Sequence, residues 1–257
     1  MKKLILSALF LAVSHASIAQ ENTVKESPKK FANYLEEKLN HGAANAESVK
    51  EFYQHSWYFW RENQIDYNLH PEKYSEALSL FYKNKKKYKQ NDKRDINRYK
   101  SAINNFNQFD ARNRLANDPI LFVGSSSIAG WETANSFPSL PVINRGLGGM
   151  AVPEIIHYYD TLIKKHAPSV LVIYCDIDVE MGKPPEVAVK AFETLINKVS
   201  TDFPHTQIVL LSMKPTLIDD FIGKDIRKNK IETNKQLLAY SDNNKNIHFV
   251  DLTAPML

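Results

Sequence analysis

The sequence predicts an α/β protein in which a mostly parallel five-stranded sheet is preceded by an α-helical N-terminal region. Residues 119–257 contain five short apolar runs that alternate with stretches of helical periodicity. Apolar runs bounded by polar turns and separated by helices are typical of parallel strands in a sheet covered on both faces. Residues 27–117 are instead helix-like and almost free of glycine.

The composition is that of an ordinary globular chain. Of its 257 residues, 43% are hydrophobic and 24% are charged, and there are 8 glycines, 12 prolines and one cysteine. These values exclude a collagen, a disulfide scaffold and a wholly disordered chain. The single cysteine, Cys175, ends an apolar run and is predicted to be a small buried hydrophobic residue.

The first residues indicate export. Two lysines precede the apolar run 4–13, and Ser-Ile-Ala at 17–19 is a small-residue pattern of the kind that signal peptidase cuts. We therefore predict a signal peptide over residues 1–19 and a periplasmic or secreted protein, with no cysteine at the junction to carry a lipid. The apolar run is shorter than the ~20 residues that cross a bilayer, so no transmembrane segment is expected.

Four helices are predicted in the N-terminal region, which we expect to span residues 20–117. They begin near Pro28, near Glu47, after Pro71 and at Asp95, and their apolar positions recur at the spacing of a buried helix face. The basic run 83–89 is predicted to be a solvated helix face or a helix end. Nucleic-acid binding is not expected.

The α/β domain is expected to span residues 118–257. Its strands are predicted at 120–123, 142–144, 170–174, 208–212 and 247–251, with helices over 153–165, 185–202 and 225–240. In such sheets, functional groups gather at the carboxyl ends of the strands.

Two of these strand ends carry candidate chemistry. The first strand ends in Gly-Ser-Ser-Ser at 124–127, a tight turn that exposes a serine hydroxyl and points its own amide at a developing oxyanion, as acyl transfer requires. Taken alone, the turn favours phosphate binding or a plain turn over catalysis. The second strand leads into the glycine-rich segment 146–149, whose spacing differs from a dinucleotide fingerprint. We interpret it as a backbone amide presented at an acyl site.

The order of these segments resembles the SGNH hydrolases of the GDSL lipase/esterase superfamily over residues 93–257. The matching segments are LFVGSSSI at 121–128 with Trp131, PVINRG at 141–146 with Gly148 and Gly149, VIY at 172–174, MKP at 213–215, and Asp251. The resemblance implies a flavodoxin-like three-layer α/β/α domain that hydrolyses small-molecule or carbohydrate esters through an acyl-serine, without a cofactor or metal. Ser126 matches the nucleophile, and Gly149 matches the glycine whose amide joins that of Ser126 in the oxyanion hole.

The third block departs from the family pattern Gly-x-Asn-Asp. Aligning Asp178 with the motif's aspartate places Ile177 where the oxyanion asparagine belongs, and an isoleucine donates no hydrogen bond. Loss of one such donor costs on the order of 10²–10³ in kcat in a known case. Asp176 and Asp178 are predicted to be structural or solvated rather than metal ligands, because alternate residues of a strand face opposite ways.

The general base is the second departure. The family's Asp-x-x-His normally lies beyond a segment such as 251–257, so the resemblance predicts a domain that is incomplete at its C-terminus. His157 lies nearest to Gly149 but is predicted to pack rather than to act as a base. The other histidines considered are predicted to lie at the starts of strands or in the N-terminal helices: His205, His248, His41, His55 and His70.

Three hypotheses follow from these motifs. The chain is a secreted ester hydrolase with Ser126 as nucleophile and severely impaired activity, or it is a non-catalytic binding protein that keeps the pocket. The third hypothesis is a truncated gene product of the same family.

Overall fold

A computed structural model of the protein describes residues 25–88, 94–217 and 219–253. These residues form two compact units. A helical unit contains the described residues up to Arg94 together with the segment Thr216–Asp225, and an α/β unit contains Asp95–Pro215 and the chain from Ile226 onward. The predicted signal peptide, residues 1–19, lies outside the described residues. Across the three described stretches, we find no helix with the length and apolar character needed to span a membrane.

The helices and strands follow the predicted order. The N-terminal helices are α1 (Pro28–Asn40), α2 (Ala46–Leu69), a 3₁₀ turn (Pro71–Tyr74), α3 (Ser75–Lys87), a second 3₁₀ turn (Ile96–Tyr99) and α4 (Lys100–Arg112). They are followed by β1 (Ile120–Gly124), α5 (Ser126–Ala129), α6 (Thr133–Ser136), β2 (Val142–Asn144), α7 (Val152–His157), α8 (Tyr159–Leu162) and a third 3₁₀ turn (Lys164–His166). The chain continues with β3 (Val170–Tyr174), α9 (Ile177–Glu180), α10 (Pro185–Asp202), β4 (Gln207–Leu211), α11 (Asp219–Ile222), α12 (Ile226–Asp242) and β5 (Ile247–Val250).

Aromatic side chains form the core of the helical unit. The rings of Phe31 and Phe59 stack with their centroids 3.9 Å apart, and Trp60 packs edge-on against Phe59 at 5.3 Å. The segment Thr216–Asp225 completes this core, because the ring of its Phe221 lies 5.7 Å from that of Trp60. The segment that joins β4 to α12 is therefore part of the helical unit's own packing.

Two lysines of the basic run 83–89 are bound to helix ends. The Lys87 ammonium donates to the carbonyl oxygens of Lys38 and Leu39 at the end of α1, at 2.7 and 3.0 Å. The Lys85 ammonium donates to the carbonyl oxygen of Ile222, the last residue of α11. Cations at these positions satisfy carbonyls that the helix leaves unpaired and complement its dipole. The run itself contains the last turn of α3, which is a helix-end position of the kind that the sequence suggested.

The sheet has the strand order β2-β1-β3-β4-β5, and every pairing is parallel. Its central strands are buried on both faces, since Leu121, Val123, Leu171 and Ile173 have no exposed surface. This burial explains why the strands appear in the sequence as continuous apolar runs. The predicted three-layer α/β/α architecture with a preceding helical region is confirmed.

Three local features differ from the sequence prediction. The helix predicted over 153–165 is broken into α7, α8 and a 3₁₀ turn, which ends at Ala167 in the left-handed conformation. The second helix continues to Leu69, well past Arg61. The compact α/β unit begins at Asp95, so α4 belongs to it; the domain boundaries at 19/20 and 117/118 stay predictions.

A buried ionic cluster joins α4 to the loop after β2. The guanidinium of Arg145 donates to the Asp110 carboxylate and lies 4.7 Å from the centroid of the Phe106 ring. His166 is buried beside this pair, with Nε2 3.8 Å from Asp110. Burial, and next the Arg145 cation, lower the pKa of His166 to about 4, against the opposing effect of Asp110.

The depressed pKa of His166 predicts a loss of stability in mild acid. Because the unfolded imidazole titrates near 6.5 and the folded one near 4, the unfolded state binds the proton first. The free energy of unfolding is therefore highest above pH 6.5 and falls by up to about 3 kcal/mol as the pH drops toward 4. Urea unfolding at about pH 7.5 and about pH 4.5 measures this difference.

The matched variants are His166→Phe and His248→Phe. Neither ring nitrogen of His166 makes a hydrogen bond to a described residue, so phenylalanine fits the site and removes the titrating group. His248 is exposed on β5, and its replacement is expected to leave the pH dependence unchanged. A full pH dependence in His166→Phe would contradict the assignment to this histidine.

Candidate functional site

The serine turn after β1 requires a glycine. Gly124 has a φ of +151°, and a Cβ at this position would lie 1.9 Å from the carbonyl oxygen of Tyr174. That carbonyl also accepts a hydrogen bond from the Ser125 amide at 3.2 Å. The backbone at the end of β1 therefore lies in direct contact with the end of β3. Only glycine, which has no side chain, can occupy position 124.

Ser126 is presented to solvent at the first position of α5. Its neighbour Ser125 is buried, and the Ser125 hydroxyl donates to Oδ1 of Asp176 at 3.4 Å. The hydroxyl of Ser126 is exposed and makes no hydrogen bond to a described residue. The buried hydrogen bond of Ser125 to Asp176 thus stabilises the turn, while the Ser126 hydroxyl remains available to a ligand.

The glycine-rich loop after β2 packs directly on this turn. The Leu147 amide donates to the carbonyl of Gly124 at 3.0 Å, and a Cβ on Gly146 would lie 2.4 Å from the Ala129 nitrogen. Gly149, with a φ of +70°, follows in the same loop. The structure brings the two predicted segments together, whereas the pairing of the Ser126 and Gly149 amides at one oxyanion stays a prediction.

The residues after β3 form a helical turn rather than a continued strand. Asp176 precedes α9 and Asp178 lies within it, so the expected strand alternation at these aspartates is wrong. Oδ2 of Asp178 accepts from the Val152 amide at 3.1 Å, and Oδ1 accepts from the Lys183 ammonium at 2.6 Å. Asp178 therefore anchors the start of α7, just beyond Gly149, and the structural role predicted for it is confirmed.

Cys175 and Ile177 flank Asp176 in different environments. Cys175 is buried, as predicted, and burial raises the pKa of its thiol. Ile177 is partly exposed at the first position of α9. The described residues contain no group of three or more histidine, cysteine or acidic side chains that could hold a metal ion.

No histidine in the described part of the chain forms a hydrogen bond with Ser126. His157, which was predicted to pack, is instead exposed on α7, and its ring lies edge-on to that of Tyr158 with the centroids 4.7 Å apart. His205 is exposed ahead of β4, and His248 binds the side chain of Gln207 at 2.8 Å. His41, His55 and His70 lie in the helical unit, and His166, which the sequence analysis did not consider, precedes β3.

A buried lysine lies beneath the serine turn. Lys230 of α12 has no exposed surface, and its ammonium donates to Oε1 of Glu180 at 2.8 Å and lies 3.6 Å from Oδ2 of Asp176. The Tyr174 hydroxyl donates to the same Asp176 oxygen at 2.7 Å. Asp176 is therefore the point at which β1, β3 and α12 are linked by hydrogen bonds and charge.

Sequence reasoning missed Lys230, although its spacing contains a signal. The buried positions of α12 are Ile226, Lys230, Thr233, Leu237 and Ser241. These residues recur at helical spacing, so Lys230 stands where an apolar residue is expected. A lysine on a buried helix face needs a charged partner. Here the partners are Asp176 and Glu180, which lie directly after β3.

Comparisons with known proteins identify the fold. The chain is similar to a GDSL-like lipase from Bacteroides thetaiotaomicron, with 19% identity, a TM-score of 0.54, and coverage of 63% of this chain and 82% of that one. It is also similar to a proposed acylhydrolase from Bacteroides fragilis, with 21% identity, a TM-score of 0.51 and coverage of 65% and 81%. The chain has the fold of the SGNH/GDSL-like hydrolases.

A third solved structure of this fold is a proposed platelet activating factor from Streptococcus pneumonia. It shares 18% identity with the chain at a TM-score of 0.55 and covers 62% of this chain and 77% of its own. A scan against protein-family models and a search of curated proteins both find no match. On the SGNH/GDSL-like fold, Ser126 and Gly149 follow the first two strands, at the sheet edge where parallel α/β folds place their sites.

The buried lysine yields a stability prediction. Lys230→Met keeps the volume of the side chain but leaves Asp176 and Glu180 without their cation, so we expect a loss of about 3–5 kcal/mol in the free energy of unfolding. Lys235→Met on the same helix is the control, because the Lys235 side chain is 71% exposed and its loss is expected to change stability by less than about 0.5 kcal/mol. Equal free energies of unfolding for the two variants in urea would contradict a stabilising role for the contacts of Lys230 with Asp176 and Glu180.

Proposed function

We propose that the chain binds short acyl or sugar-acetate esters as an SGNH/GDSL-type serine hydrolase whose turnover is severely impaired. The observation that carries the proposal is the exposed hydroxyl of Ser126 on a turn that Gly124 and Asp176 hold rigidly. A serine presented in this way after the first strand of a parallel sheet is suited to accept an acyl group. The proposal includes export by the signal peptide over residues 1–19.

The proposed reaction is an acyl transfer to Ser126. The Ser126 oxygen attacks the ester carbonyl, the backbone amides of Ser126 and Gly149 stabilise the oxyanion, and the alcohol leaves with the proton that the serine gives up. Water then releases the acid and restores the hydroxyl. Each proton transfer needs a base, and no described imidazole forms a hydrogen bond with Ser126, so the serine attacks as a neutral alcohol.

The oxyanion is also short of one donor. Ile177 occupies the position of the family's asparagine, and its side chain carries no N–H group. Loss of one donor of this kind reduces kcat by on the order of 10²–10³. Both deficits favour slow acylation, and they make a non-catalytic ester-binding protein the second candidate function.

The first test compares the wild-type protein with Ser126→Ala. With p-nitrophenyl acetate we expect steady-state release of nitrophenol indistinguishable from that of the variant, because the base is lacking. Intact-mass spectrometry is expected to show slow acetylation that Ser126→Ala abolishes. Robust turnover that depends on Ser126 would show that a base had been missed, and acetylation elsewhere in the chain would contradict Ser126 as acceptor.

The second test restores the missing donor. Ile177→Asn supplies a side-chain N–H at the third-block position, and we expect it to raise the rate of Ser126 acetylation by about 10-fold or more. Ile177→Ala is the matched control, because it removes the isoleucine without adding a donor. Equal rates for the two variants would contradict the placement of residue 177 at the oxyanion.

A further inference from the structure

An exposed guanidinium lies beside the glycine-rich loop. Arg98 belongs to the 3₁₀ turn Ile96–Tyr99, and a Cβ on Gly149 would lie 3.0 Å from its Nη2. By backbone covalent geometry, Nη2 is therefore within about 6 Å of the Gly149 amide nitrogen. A cation at this distance is close enough to contact a ligand whose carbonyl oxygen faces that amide.

The α/β unit itself positions this arginine. The Tyr99 hydroxyl donates to the carbonyl of Gly148 at 3.3 Å, and the Tyr158 hydroxyl donates to the carbonyl of Ile96 at 2.8 Å. The guanidinium carbon of Arg98 lies 4.8 Å from the centroid of the Tyr99 ring. Stacking of this kind limits the freedom of the guanidinium, so less entropy is lost when it binds a ligand.

The charge of Arg98 is not neutralised by the described residues. Its side chain forms no ion pair or hydrogen bond among them, and the nearby Asp95 carboxylate instead accepts from the amide and side chain of Asn97 at 2.9 and 3.0 Å. Arg145, which precedes the same loop, is paired with Asp110. Of these two arginines, Arg98 is the one that remains available to an anion.

We infer that Arg98 binds a carboxylate carried by the ester ligand, so that the site prefers anionic esters, such as half-esters of short dicarboxylic acids, to neutral esters. The inference rests on the proposed function, which places the ester carbonyl at Ser126 and Gly149. A single guanidinium matches the charge of one carboxylate and presents two parallel N–H groups to its oxygens. Arg98 is thus a specificity-determining residue rather than part of the acyl-transfer chemistry.

A second cation tests whether the effect is a specific contact. Lys214 follows β4, and its ammonium lies 5.3 Å from the centroid of the Tyr174 ring, with no ion pair to a described residue. If a general positive potential caused the preference for the anionic ester, removing Lys214 or Arg98 would reduce that preference alike. A direct contact would depend on Arg98 alone, because the ligand's carboxylate would reach only the cation beside Gly149.

Calorimetric titration of Ser126→Ala with monomethyl succinate and with dimethyl succinate tests the inference without turnover. We expect the anionic ester to bind at least about 10-fold more tightly than the neutral one, and added salt to reduce this preference. Adding Arg98→Gln is expected to abolish the preference and Arg98→Lys to retain part of it. Arg112→Gln, an exposed arginine at the end of α4, and Lys214→Met are expected to leave it unchanged.

The outcomes separate this inference from the proposed function. No preference for the anion, or an equal loss in Arg98→Gln and Lys214→Met, overturns the inference, even where Ser126 of the wild-type protein is acetylated. A preference that depends on Arg98 supports it, and failure of wild-type Ser126 to become acetylated would then overturn the proposed acyl transfer alone.

Discussion

The buried carboxylate of Asp176 is the constraint on which the geometry of the candidate site depends. It accepts hydrogen bonds from Ser125 and from the Tyr174 hydroxyl, and the ammonium of Lys230 lies beside it. Burying a carboxylate without partners costs several kcal/mol of folding free energy. The native fold must therefore hold Ser125, Tyr174 and Lys230 around Asp176 simultaneously. The serine turn, the end of β3 and helix α12 therefore have little freedom to move separately.

The order of helices and strands could be predicted because burial imposes a pattern of apolar residues within each short stretch of sequence. Strands such as Val142–Asn144 and Val170–Tyr174 appear at the predicted residues, since a sheet covered on both faces requires continuous apolar runs. Helix α10 begins at Pro185, a residue that suits the first turn of a helix. The break between α7 and α8 could not be predicted, because the helical periodicity continues through it: Ile155, Tyr159 and Leu162 are all buried.

The site was only partly predictable, for a related reason. The strand-end positions of Ser126 and Gly149 could be predicted from a local signal together with the family resemblance, whereas their roles as nucleophile and oxyanion donor stay predictions. Lys230 and His166 were missed because the partners of each are distant in the sequence. The helical spacing of Lys230 places it on a buried face, but only tertiary packing shows which groups surround either residue. The alternation expected of Asp176 and Asp178 failed because α9 begins directly after β3.

The cations of the α/β unit differ in whether they form ion pairs. Lys230 is neutralised by Asp176 and Glu180, Lys183 by Asp178, and Arg145 by Asp110. These pairs lie partly or wholly out of water, where an unpaired ion is most costly, and they hold the serine turn, the start of α7 and the loop after β2. Arg98 and Lys214, which form no ion pair with a described residue, instead lie against the rings of Tyr99 and Tyr174. The paired cations thus position elements of the candidate site, whereas Arg98 is the cation that we infer to contact the ligand.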